Sequence, residues 1–135
     1  MSLGSFELDI QRFVDRANGR IDLVVRKIAL AVFRRVLMKS PVDTGRFRGN
    51  WQVAIGNIPA GTLAVDDKAG TATMSKVTAA TMRLNAGEVI YLVNNLAYAR
   101  ALEYGHSKQA PNGMVRLTLA EFPQVVRKAA SELPK

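Results

Sequence analysis

Apolar residues recur every three or four positions from Phe6 to Val36: Phe6, Ile10, Phe13, Ala17, Ile21, Val24, Ile28, Val32 and Val36. That spacing predicts an amphipathic helix. Its other face carries Arg12, Arg16, Arg20, Lys27 and Arg34. Ser5 is placed to cap the helix start, but Leu8 stands where the Glu of a capping box would be. Continuous to Lys39, the helix would have about 34 residues and run roughly 50 Å. Asn18–Gly19 is its weak point, where a kink or break is expected. A helix of that length outruns a compact 135-residue chain unless a sheet or a partner subunit covers it. Ser40–Pro41 ends it, because a residue before proline is pushed out of the α region.

The period then changes. Over Asn50–Asn57, Trp51, Val53 and Ile55 alternate with Gln52 and Ala54, which predicts a strand. Pro59–Gly61 reads as a turn and Thr62–Asp66 as a returning strand, together a β-hairpin. Asp67–Gly70 is loop, and Ser75–Leu84 is a short helix ended by Asn85–Gly87. Glu88–Val93 is β-branched and predicts another strand. Tyr98–Tyr104 is a helical turn closed by Gly105, followed by a polar loop, His106–Gly113. The last element is a helix over Met114–Leu133, with a kink or break expected at Pro123. The order implies an α+β fold, with a long N-terminal helix and a C-terminal helix packed on a small antiparallel β-sheet. The chain reads as one domain, 5–135, with Met1–Gly4 set apart as a leader.

Composition narrows the classes. Apolar residues make up 48%, which is enough for a core and unlike a disordered chain. The net charge of +8 points toward an anionic contact such as nucleic acid, an acidic protein or a membrane surface, or toward a merely solvated basic surface. With no cysteine, disulfides, thiol nucleophiles and cysteine zinc sites are excluded. The longest apolar run, Ile28–Phe33, is bounded by Lys27 and Arg34 and falls well short of a membrane span of about 20 residues. The start, MSLGSFELDI, has neither the basic nor the apolar region of a signal peptide.

Two dense segments hold the remaining signal: Ser40–Trp51, SPVDTGRFRGNW, and Asn94–Arg116, NNLAYARALEYGHSKQAPNGMVR. Asp43-Thr44-Gly45 is the tripeptide of aspartic proteases. A helix and Pro41 precede it and Arg46 follows, which argues for a turn instead. In that reading the Asp43 carboxylate bonds backbone N–H groups and Gly45 takes positive φ. His106, the one histidine, has no companion ligands in a metal pattern and reads as a loop residue at an interface. Glu103 could act as a base but has no partner for that role; an ion pair with Arg100 or Arg116 is the plainer reading. Gly45 and Gly49 do not make a phosphate loop. The expected catalytic, metal and cofactor sites are therefore none. Arg12, Arg16, Arg20, Arg34, Arg35, Arg46 and Arg48, with Phe47 and Trp51 interleaved, could track a phosphate backbone, but Asp9, Asp15 and Asp22 sit among them.

Taken in order, the long helix, the SPVDTGRFRGNW segment, and the strand leading into the Asn94–Arg116 segment resemble the tail-component family of long-tailed phages and prophages. That family covers tail completion and head–tail joining. The likeness spans roughly Ser40 to Leu119 at motif level. The matching positions are Pro41, Asp43, Thr44, Gly45, Arg46, Asn94, Tyr98, Ala99, Glu103, Tyr104 and Gly105. The resemblance implies a structural, non-enzymatic virion-assembly protein that forms a homo-oligomeric ring, with a hexamer as the expected size. It implies partners among other tail or head–tail junction proteins, a basic surface that faces either an anionic partner protein or, by nonspecific contact, DNA in the lumen, no membrane, and a place in the virion or the host cytoplasm during assembly. Asp43, Thr44 and Gly45 would aim the loop, Tyr98 and Tyr104 would anchor it on the sheet, and Glu103 would pair with Arg46 or Arg48. Arg48, Trp51 and His106 join this interaction set. The alternative from another class is a basic nucleic-acid-binding accessory protein.

Overall fold

The computed structural model describes residues 21–132. Its elements run α1 (Ile21–Lys39), α2 (Arg46–Gly49), β1 (Trp51–Ile55), α3 (Thr71–Thr81), β2 (Ile90–Asn94), α4 (Ala99–Glu103) and α5 (Val115–Ser131). Helices with a two-stranded antiparallel sheet make the fold α+β, as the pattern implies. The expected helix start at Ser5, its Asn18–Gly19 weak point and the arginines before Ile21 lie outside the described residues.

α1 packs against both α5 and α3. Val24 and Ile28 meet Ala129 and Ala130 of α5. Val36 and Leu37 enter the main core with Phe47, Trp51, Ala110 and Met114. Leu37 is fully buried although it lies off the predicted stripe. A helix flanked on two sides buries a wider arc than a single-sided amphipathic helix does. Burying such a side chain contributes about 1.5–3 kcal/mol. Ion pairs from Lys27 to Glu132 at 2.5 Å and from Lys39 and Arg35 to Glu121 at 2.5 and 3.4 Å border the α1–α5 contact. Pairs this close to solvent add little.

The expected hairpin is not formed. β1 pairs with β2, with Trp51 opposite Asn94, Val53 opposite Leu92 and Ile55 opposite Ile90. The segment 62–66 is irregular. Side-chain bonds hold it in place of a ladder: Leu63 gives its N–H to Asn50 Oδ1 at 2.7 Å and accepts from Asn50 Nδ2 at 3.0 Å. Local alternation suggested the nearer partner; the β-branched and aromatic run Ile90–Val93 takes the ladder.

α3 begins at Thr71, earlier than predicted. Asp67 supplies the missing cap, accepting from the Thr73 N–H and hydroxyl at 2.8 Å each and from the Gly70 N–H at 3.1 Å. At its other end, α1 ties down the following turn. Arg26 Nε bonds the Leu84 carbonyl at 2.6 Å, and Asp22 accepts the Ala86 N–H at 2.7 Å. α5 runs unbroken through Pro123, contrary to a break there. The lost N–H frees the Leu119 carbonyl, and Leu119 is exposed, so water can bond it.

Candidate functional site: a latched loop surface

The two motif segments meet in space. Residues of the Pro41–Phe47 stretch face Tyr98, Leu102 and Gln109 across a cleft of about 240 Å³. Gln109 clamps it with both ends of its amide. Its Oε1 accepts the Val42 N–H at 2.8 Å and its Nε2 donates to the Val42 carbonyl at 3.0 Å. Asn94, at the end of β2, donates to the Phe47 carbonyl at 2.9 Å. The Phe47 ring stacks at a tilt on Tyr98, 6.1 Å between centroids, and meets Trp51 edge-on at 5.7 Å. Edge-to-face rings add about 0.5–1.5 kcal/mol beyond burial.

The turn at Asp43-Thr44-Gly45 forms, but not through Asp43. Thr44 Oγ1 accepts the Arg46 N–H at 3.2 Å. Asp43 is exposed and makes no side-chain hydrogen bond among the described residues. A hydroxyl one residue nearer to the helix start reaches Arg46 where the carboxylate does not. Gly45 has φ 91°. Its carbonyl accepts from the Gly49 and Asp67 N–H groups at 2.9 and 3.0 Å. A Cβ at Gly45 would collide with the Asp67 and Lys68 backbone. Glycine is needed here for both reasons.

Behind this turn lies a buried polar seam. Trp51 Nε1 donates to Ser40 Oγ at 2.8 Å, and Ser40 Oγ donates on to the Val36 carbonyl at 2.8 Å. Asn50, fully buried, ties the Arg46 carbonyl to Leu63. Arg48 joins the end of α1 to the loop before α3, donating to the carbonyls of Lys68 at 2.8 Å, Ser40 at 3.0 Å and Met38 at 3.4 Å. Burial lowers the Arg48 pKa, against the pull of Asp67. Burial pushes the Asp67 carboxyl up, but the bonds from Thr73 and Gly70 and the charge of Arg48 outweigh it and leave the group below its usual range.

Glu103 does not meet Arg46 or Arg48. Arg46 Nε pairs with Asp66 at 2.6 Å, and Arg48 gives its two terminal nitrogens to carbonyls. Glu103 instead caps α5, as only the Arg116 alternative foresaw in part. Its carboxylate accepts from the N–H groups of Met114 and Val115 at 2.9 Å each, from Arg116 N–H at 3.0 Å and from Arg116 Nε at 3.1 Å. Those are orphan donors of a helix start. Burial raises the Glu103 pKa, and the bonds from Val115, Arg116 and Met114 overcome this, so it lies below the ordinary carboxylate value. Gly113 lets the chain pass this carboxylate, since a Cβ there would meet the Glu103 carbonyl and side chain.

Tyr98 touches Phe47 but is 46% exposed, and Tyr104 is 59% exposed. Tyr104 does not anchor on the sheet. It stands outside, with the Arg116 guanidinium 4.7 Å and the Arg100 guanidinium 5.9 Å from its ring centroid. His106 is exposed on the loop beyond, and Pro41 is buried behind the turn. Gly105 has φ 91° and its N–H closes α4 onto the Leu102 carbonyl at 3.2 Å. Among the described residues no group of acidic, histidine and cysteine side chains could hold a metal ion, and no helix is long and apolar enough to cross a membrane.

Sequence reasoning passed over Ser40, Asn50, Asp67 and Gln109. Asn50 and Ser40 lay inside the quoted motif. Their signal was a polar residue bordering an apolar strand or helix end, where a buried amide or hydroxyl must find partners. Gln109 had no local signal, because its partner lies 67 residues away.

Set against family models, curated proteins and solved structures, the chain matches none.

Proposed function

We propose that this chain is a structural subunit that self-assembles into a ring, acting as a tail-completion or head–tail joining component of a long-tailed phage or prophage. The observation that supports it is how the motif residues are used. Gly45, Arg48, Asn50, Asn94 and Glu103 are committed to backbone contacts that fix the shape of a surface. That surface leaves Tyr98, Tyr104, Val115 and Leu119 exposed next to the latch. A rigid loop platform with exposed aromatic and aliphatic side chains is a surface suited to protein contact. The expected assembly is a hexamer, in the virion or in the host cytoplasm while the virion forms. Its partners are other tail or junction proteins, with the basic surface facing an acidic partner or DNA in the lumen.

The test is the native mass by light scattering over a concentration series. Self-assembly gives a discrete mass several times the chain's 14.7 kDa. A monomer at every concentration refutes the ring.

A second reading, a basic nucleic-acid-binding protein, draws on the groove between α1 and α5, lined by Lys27, Arg34, Arg35, Lys39 and Lys128 among others. Several of those cations already pair with Glu121 and Glu132. Generic duplex binding that falls steeply with salt would favour this second reading.

A further inference from the structure

A two-stranded sheet has two outer edges, and here both carry unpaired backbone. The parity follows from the register. Gly56 donates to the Val89 carbonyl at 2.8 Å, one step beyond the Ile55–Ile90 pair. Antiparallel pairs alternate between bonded and non-bonded. Ala54 with Tyr91 and Gln52 with Val93 therefore exchange the ladder bonds. The N–H and C=O groups of Val53 and Ile55 point away from the sheet on one side, and those of Ile90 and Leu92 on the other. None of these outward groups meets a backbone or side-chain partner among the described residues.

Natural edge strands are usually guarded by lysine, proline, a bulge or a covering loop. β2 reads Ile90-Tyr91-Leu92-Val93-Asn94, with no charge and no proline. β1 reads Trp51-Gln52-Val53-Ala54-Ile55, again with neither. Val89, one step past the last ladder pair, is 55% exposed, so the apolar surface continues beyond it.

We infer that the outer edge of β2 pairs with the outer edge of β1 in a second copy of this chain, joining the two-stranded sheets into a continuous belt. This rests on the ring reading above and names its seam. The occupant is a second copy because the chain itself carries the complementary edge on the opposite side. A head-to-tail contact needs two different surfaces, which is the condition for a closed ring. Copies related by rotation about an axis roughly along the strands keep their β1 strands parallel, so the new β2–β1 seam is antiparallel. The outward residues of both edges share the core face: Ile90 and Leu92 on one, Val53 and Ile55 on the other. An antiparallel seam among them keeps the core face of one sheet continuous with that of the next. Main-chain bonds supply the attraction and the alternating side chains fix the register.

The test combines native mass with residue-resolved hydrogen exchange, comparing a dilute and a concentrated sample of the whole chain. The seam predicts that the Ile90, Leu92, Val53 and Ile55 amides slow by roughly 100-fold in the assembled form. Tyr91 and Val93, bonded within the chain, should be protected in both samples. The variant Ile90→Pro removes one outward N–H and no ladder bond, a place where an edge strand tolerates proline. It should keep its circular dichroism and need at least about tenfold more protein to assemble. If Ile90→Pro does not fold, the exchange result on the unaltered chain decides. Assembly with those outward amides still exchanging fast, or unchanged assembly by folded Ile90→Pro, overturns the seam and leaves the ring standing. A discrete dimer with the Ile90 and Leu92 amides protected and those of Val53 and Ile55 exchanging fast means β2 pairs with β2, which overturns both. A monomer at all concentrations overturns both as well.

Discussion

The helical layer and the latched loops are held together by different chemistry. Between α1 and α5 the contact is apolar side chain on apolar side chain, bordered by exposed ion pairs. Across the loops of residues 40–50, 61–70 and 94–116 the contact is mostly side chain on backbone, through Gln109, Arg48, Asn50, Asn94, Asp67 and Glu103. Apolar packing tolerates substitutions of similar volume. A polar latch does not where it is buried, as at Asn50, because a lost partner there leaves a donor or acceptor unmet. The loop surface proposed for protein contact therefore sits on the part of the molecule that is more exacting about residue identity.

The largest effect expected is in the main core, where Leu37→Ala should cost about 2–5 kcal/mol in chemical denaturation. Gly45→Ala should approach it, on the order of 3 kcal/mol, by adding strain at positive φ to a backbone collision. A loss under about 1 kcal/mol would show that the turn relaxes freely. Asn50→Leu keeps the branched outline of the side chain but removes its amide, leaving the Leu63 N–H and the Arg46 carbonyl without their partner, at about 1–3 kcal/mol. By contrast, Ile28→Leu in the α1–α5 contact, a swap of equal volume, should cost under about 1.5 kcal/mol. If the two prove equal, the contrast between polar latch and apolar layer fails. Glu103→Gln should cost about 1 kcal/mol by weakening the cap on α5. Hydrogen exchange of the Val115 and Arg116 amides should quicken with it.

Acid sharpens the same contrast. The carboxyls of Glu103 and Asp67 have folded-state pKa values below their unfolded ones. Their stabilisation is present above the unfolded carboxylate range, about pH 4. It is lost as pH falls through the folded values. Stability should therefore be level near neutrality and decline below about pH 4. Glu103→Gln should flatten part of that decline. The smallest effect belongs to the exposed pair, where Glu132→Gln should leave the thermal midpoint unchanged within error.

The sequence was legible where structure is local and periodic. α1 and α5, β1 and the short α4 lie within their predicted stretches, and β2 runs one residue past its own, to Asn94, because 3.6-residue and two-residue spacings are read along the chain. The partner of β1 was not legible. Leu63 and Val65 alternate as a strand does, but nothing local says that Asn50 will take Leu63's backbone bonds before a ladder can. The start of α3 was missed for the same reason, since its cap comes from Asp67. Within the site, the two motif segments stand out in the sequence and meet in the structure. Their internal roles were not legible, because Glu103 and Gln109 act on residues 11 and 67 positions away. Tyr104 was expected against the sheet, and the capping of α5 by Glu103 brings Arg116 over its ring outside.

The most direct measurement is the native mass of the purified chain by light scattering, from micromolar to near-millimolar concentration. Ring assembly predicts a discrete species near six times the 14.7 kDa chain mass, persisting at modest salt. A single monomeric mass across the whole range would contradict it.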